Sequence, residues 1–154
     1  MGVITNLSVT SDVALVTLNM APAGPDFVSR LFRALTELDV NVDMISQTAL
    51  TGPQVALNFT AKGEDIGKIM EISARIREKY PTIKPLVSGN NVKISLYGEK
   101  MPEYAGIAAG VFEVIPDCGA DILMIPTSTV DISILVSEAS ADACVSALKE
   151  RYQL

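Results

Sequence analysis

Hydrophobic and polar positions alternate over Ala14 to Asn19, and from Pro25 the period changes, with Val28, Leu31, Phe32, Leu35 and Leu38 falling at helical spacing. The pattern predicts a strand and then a helix, with Pro25 and Asp26 suited to its first turn. Val40 to Gln47 reads as a second strand, Thr51-Gly52-Pro53 as a turn and Val55 to Thr60 as a third strand. Ile66, Ile69, Ile72 and Ile76 mark a second helix, which Pro81 stops. Ile83 to Val87 then closes the set before a predicted turn at Ser88-Gly89-Asn90-Asn91.

The same order begins again. Val92 to Tyr97 reads as a strand, Ala105 to about Ile115 as a helix, and Asp121 to Ile125 and Val130 to Val136 as strands. A last helix carries Ala141, Cys144, Val145 and Leu148 on one face, with Ser140 placed to cap it. Leu31, Phe32, Val42, Met44 and Ile45 recur as Val111, Phe112, Ile122, Met124 and Ile125, a constant offset of 80 residues. Such self-similarity means two copies of one supersecondary unit. The first copy has the ferredoxin-like order βαββαβ. The second ends at Leu154 without its closing strand, while Val3 to Val9 form a strand that the first copy does not need. The economical expectation is an α+β chain of two ferredoxin-like units, 10–89 and 1–9 plus 90–154, with the N-terminal strand completing the second.

Composition narrows the function. Hydrophobic residues make up 49% of the chain and charged residues 19%, which predicts apolar surface buried between copies, a homodimer. No apolar run approaches the roughly 20 residues that cross a bilayer, and no basic leader precedes an apolar block. A cytoplasmic protein is expected. The net charge is -6 and the twelve Lys and Arg are scattered, which argues against nucleic acid. There is no histidine, and Cys118 and Cys144 make a poor metal site, so they read as inert reduced thiols. No metal, cofactor or catalytic group is expected, since neither cysteine has a base nearby in sequence and Glu64-Asp65 suits a helix start.

Asn41-Val42-Asp43-Met44-Ile45-Ser46-Gln47, Lys93 to Gly98, Gly106-Ile107-Ala108-Ala109 and Ala147-Leu148-Lys149 together resemble the paired ACT regulatory domains of aspartate kinases. The resemblance covers almost the whole chain, and in that family too the N-terminal strand enters the second ACT unit. It implies regulation without a kinase lobe, consistent with the absence of a glycine-rich phosphate loop. It also implies a small amino acid effector of the lysine or threonine class, bound where the first strand of a unit gives way to its first helix. A helix N-terminus there offers free amides and a positive dipole to a carboxylate.

By that resemblance the first site comprises Met20, Gly24, Asp26, Phe27, Asn41, Val42, Asp43 and Gln47, and the second Ala105, Gly106, Ile107, Asp121, Ile122 and Ser128. The residues also admit plainer readings: Asp43 as a solvated carboxylate, Asn41 as a turn residue, Thr127 and Ser128 as a turn between strands. The family's usual loop aspartate is Ala23 here, its helix-start glycine is Asp26 and its usual asparagine is Asp121. Asp26 adds about 0.3 to 1 kcal/mol to its helix but repels an incoming carboxylate. Pro116 is expected to kink or end the third helix. Two functions therefore stand against each other: an amino acid sensor acting on an aspartate kinase catalytic chain, and an assembly module whose pockets have decayed.

Overall fold

The computed structural model describes residues 2–154. They divide into two compact units, one formed by Asp12–Gly89 and the other by the segment up to Ser11 with Asn90–Leu154. The first contains most of β1 (Asn6–Pro22), then α1 (Pro25–Glu37), β2 (Ile45–Gln47), β3 (Gln54–Lys62), α2 (Ile66–Lys79) and the start of β4 (Lys84–Tyr97). Its strands lie in the order β2-β3-β1-β4, the βαββαβ arrangement that the hydrophobic periods predict.

Register follows from which residues must be inside. On β1, Val16 and Leu18 sit opposite Phe59 and Leu57 of β3, so a two-residue period turns one apolar face to the helices. Those four residues are buried together with Phe27, Leu31 and Leu35 of α1 and Ile69 and Ile72 of α2. Phe32 meets Phe59 edge to face at 6.0 Å between centroids.

The second unit contains the rest of β4, α3 (Ile107–Phe112), β5 (Asp131–Ser137) and α4 (Glu138–Tyr152). Ile94 pairs with Ile134 and Leu96 with Ile132, and these residues form a core with Val111, Cys144 and Leu148. Ile4 belongs to the same core, and the Thr5 N–H donates to the Tyr97 carbonyl at 2.8 Å. The N-terminal strand therefore completes the second unit.

Six local expectations fail. Ser88 to Asn91 is not a turn, because β4 runs through it with Asn90 in the left-handed region (φ 55°), a conformation Asn tolerates. The N-terminal strand and the Ala14 strand are likewise one strand, with Asp12 at φ 54°. Val40 to Gln47 is strand only at Ile45–Gln47; before it, the Met44 amide is taken by the Thr60 hydroxyl at 3.0 Å. Asp121 to Ile125 forms only an isolated pairing of Met124 with Leu135. Finally, α3 ends at Phe112 and Pro116 opens a short 3₁₀ turn, Ile115–Cys118, while α4 begins after Ser137 rather than Ser140.

Candidate functional site

A bulge between Leu18 and Ala21 ends the regular β1–β3 register, with Met20 at φ 56° and its carbonyl accepting from the Thr82 hydroxyl at 3.5 Å. The chain then turns into α1 through Gly24, whose φ of 140° disfavours any side chain. Gly24 supplies no side-chain cap and Pro25 has no N–H, so the amides of Asp26 and Phe27 are the donors at this helix start.

Beside them is an open hollow of about 430 Å³, lined by Gly24, Pro25, Val28, Ser29, Gln47 and Leu50. Two first-site residues, Gly24 and Gln47, thus come together. Val28 and Ser29 lie three and four residues after Pro25 on one helix face, a spacing that identifies them once Pro25 is recognised as the helix start. Leu50 lacked any such clue and is 69% exposed.

The other first-site residues are placed differently. The Phe27 ring is buried against Tyr80, edge to face at 5.3 Å, leaving its backbone amide as its polar contribution to a site. Val42 packs on the first core, whereas Asn41 and Asp43 are exposed, and the Asp43 amide donates to the Thr60 carbonyl at 3.1 Å. Asp26 is exposed in the first turn of α1 and is not among the residues lining the hollow.

In the second unit Gly106 precedes α3 at φ 86°, and α3 is six residues long. Ala105 and Asp121 are exposed, and Ile107 and Ile122 pack against the second core. Ser128 holds a turn: its hydroxyl accepts from the Val130 amide at 3.2 Å, and its own amide donates to Asp131 at 2.9 Å. A separate hollow of about 260 Å³ is lined by Gly2, Thr5, Tyr97, Glu99 and Lys100.

Among the described residues no group of three or more His, Cys, Asp or Glu could hold a metal ion. Both cysteines are free, and the Cys118 thiol donates to the Val114 carbonyl at 3.3 Å. Burial, reinforced by the neighbouring Cys118, pushes the Cys144 thiol up to about 11, so it is a protonated core group. No helix among the described residues is long and apolar enough to cross a membrane.

Residues 94–152 match the family model of the ACT domain. The aspartokinase of Corynebacterium efficiens is 28% identical over 155 residues, an alignment covering 99% of this chain and 37% of that protein. The chain thus spans little more than a third of the curated relatives it matches. The regulatory subunit of aspartate kinase from Thermus thermophilus, in its ligand-free form, superposes with a TM-score of 0.87 at 25% identity, covering 97% of this chain and 99% of that one. Aspartate kinase from Synechocystis superposes with a TM-score of 0.92 at 27% identity, over 99% of this chain and 27% of its own. These 154 residues correspond to a regulatory portion and hold no kinase domain. Residues 94–152 are thus similar to the ACT domain, and the chain as a whole has the two-unit, ACT-type fold seen in the regulatory subunit of aspartate kinase.

Proposed function

We propose that the chain is a cytoplasmic regulatory module that binds a small amino acid at the start of α1 and passes the binding to an aspartate kinase catalytic chain. The observation that carries this reading is the hollow joining the α1 N-terminus to Gln47 of β2. The amides of Asp26 and Phe27, with the dipole of a 13-residue helix, suit a carboxylate. The Gln47 side-chain carbonyl suits an ammonium group. Ser29 supplies a hydroxyl, Val28 and Leu50 supply apolar surface, and no carboxylate lines the hollow, which favours a neutral side chain of threonine size over lysine. The first seam is preferred because α3 has only six residues and Ser128 is engaged in a turn.

The hollow is open, and β2 stands at the end of its strand order with Ile45 55% exposed. A second copy docking along that edge closes the hollow and makes the homodimer. The same apolar edge also supports a ligand-independent assembly module, and one experiment separates the two. In a thermal-shift panel of the twenty amino acids, an effector at 100 times its dissociation constant adds about 2.7 kcal/mol. No response from any of them, in a chain that remains a dimer, refutes sensing and leaves assembly.

A further inference from the structure

The acidic balance of the chain is uneven. Residues 90–154 carry nine Asp and Glu against four Lys and Arg, and their helical face has a hollow of about 470 Å³ lined by Glu113, Asp117 and Glu150. Arg151, also in its lining, is already engaged with Glu113 at 3.4 Å. Val114 and Ala147 supply apolar surface between the carboxylates.

The Asp12–Gly89 unit bears the complementary feature. A groove of about 270 Å³ between α1 and α2 is rimmed by Arg30, Arg75 and Lys79 and floored by Ile72, Ile76 and Tyr80. On α2 the positions Ile72, Arg75, Ile76 and Lys79 follow the i, i+3, i+4, i+7 spacing of one face. Tyr80 is held by Phe27, and the Lys79 ammonium lies 5.8 Å from the Tyr80 ring centroid. No carboxylate lines this groove, and among the described residues the salt bridges of Lys62, Lys68 and Arg151 lie elsewhere. Three cations around one groove repel one another, and an acidic, partly apolar surface relieves that repulsion while covering the exposed parts of Ile76 and Tyr80.

We propose that the α1/α2 groove of one copy receives the Glu113, Asp117 and Glu150 face of a second copy. The contact joins unlike patches, so it forms either twice about a two-fold axis in a closed dimer or once per pair of copies in a ring or an open chain. Opposed charges steer the encounter and make it sensitive to salt. It uses a surface other than the β2 edge and stands whether or not the effector reading does.

Sedimentation velocity over a concentration series tests it with wild type, Arg75→Glu, Glu150→Arg, the double variant and an equimolar mixture of the two single variants. Both substituted residues are exposed, so folding is retained and circular dichroism verifies it. The wild type is expected to associate beyond its smallest species, less at about 500 mM salt than at about 50 mM. Each reversal weakens that association roughly tenfold, and both the double variant and the mixture recover it. Reversals that leave sedimentation unchanged, or a double variant that stays weak, overturn the proposal. Loss from Arg75→Glu with none from Glu150→Arg assigns the groove to a different acidic occupant and overturns the second-copy assignment.

Discussion

Gly98 reports directly on the N-terminal strand. It is buried, its amide donates to the Val130 carbonyl at 2.9 Å, and a Cβ placed on it overlaps the carbonyl oxygen of Val3. The Val3 carbonyl carbon lies at 2.9 Å and the Ile4 Cα at 3.2 Å from that Cβ. All three obstructing atoms are backbone, so no rotamer change relieves the overlap. Gly98→Ala must displace the N-terminal segment or compress the loop, and overpacking of this kind costs about 1 to 3 kcal/mol. Full displacement exposes Ile4, now 3% exposed, at about 1.5 to 3 kcal/mol, and breaks the bond from Thr5 to Tyr97 at about 1 kcal/mol. The chain takes the cheaper route, so the expected loss is about 1 to 3 kcal/mol. Urea unfolding measures it, and a cycle with a chain starting at Asn6 isolates the cause, because removing Val3 and Ile4 removes the three nearest obstructing atoms. The reasoning is refuted if Gly98→Ala costs less than about 0.5 kcal/mol in the full chain, or as much in the shortened chain as in the full one.

Two further predictions concern buried groups. Thr60→Val removes the hydroxyl that accepts the Met44 amide at a fully buried position, and should cost about 1 to 3 kcal/mol in urea unfolding; a change below about 0.5 kcal/mol contradicts that role. Cys144 has a folded value raised from 9.0 to about 11, so its contribution is complete below pH 9.0 and is lost as pH rises towards about 11, where the unfolded thiol ionises first. Urea midpoints at pH values from about 8 to about 10 should fall in the wild type and fall less in Cys144→Ala, and equal slopes would count against the buried thiol.

The fold was legible wherever one period ran long enough to have one burial solution. Leu31, Leu35, Ile69 and Ile72 could be inside only as helices, and Val16 with Leu18 only as a strand. The spare N-terminal strand was legible by counting, because the second copy lacked its closing strand. What failed was local. Asn90 sits in a strand with a positive φ that its turn-like sequence disguises, and Met44 forgoes a ladder bond for a Thr60 hydroxyl sixteen residues away. At the site, Gly24 and Gln47 were legible by resemblance. Leu50 was not, because its place depends on how the chain returns from β2 to β3. Phe27 illustrates the converse, a loop-adjacent aromatic drawn into the core by Tyr80.

The central claim, an effector at the first seam, is tested most directly by isothermal titration calorimetry of the amino acid giving the largest thermal shift. Wild type, Gln47→Leu and Thr127→Val are compared, since Thr127 is the counterpart of Gln47 in the 80-residue repeat. Loss of a hydrogen bond to a charged ammonium costs about 1.5 to 3 kcal/mol, so Gln47→Leu should weaken binding at least roughly tenfold while Thr127→Val leaves it unchanged. Full affinity in Gln47→Leu, or loss confined to Thr127→Val, would contradict the account.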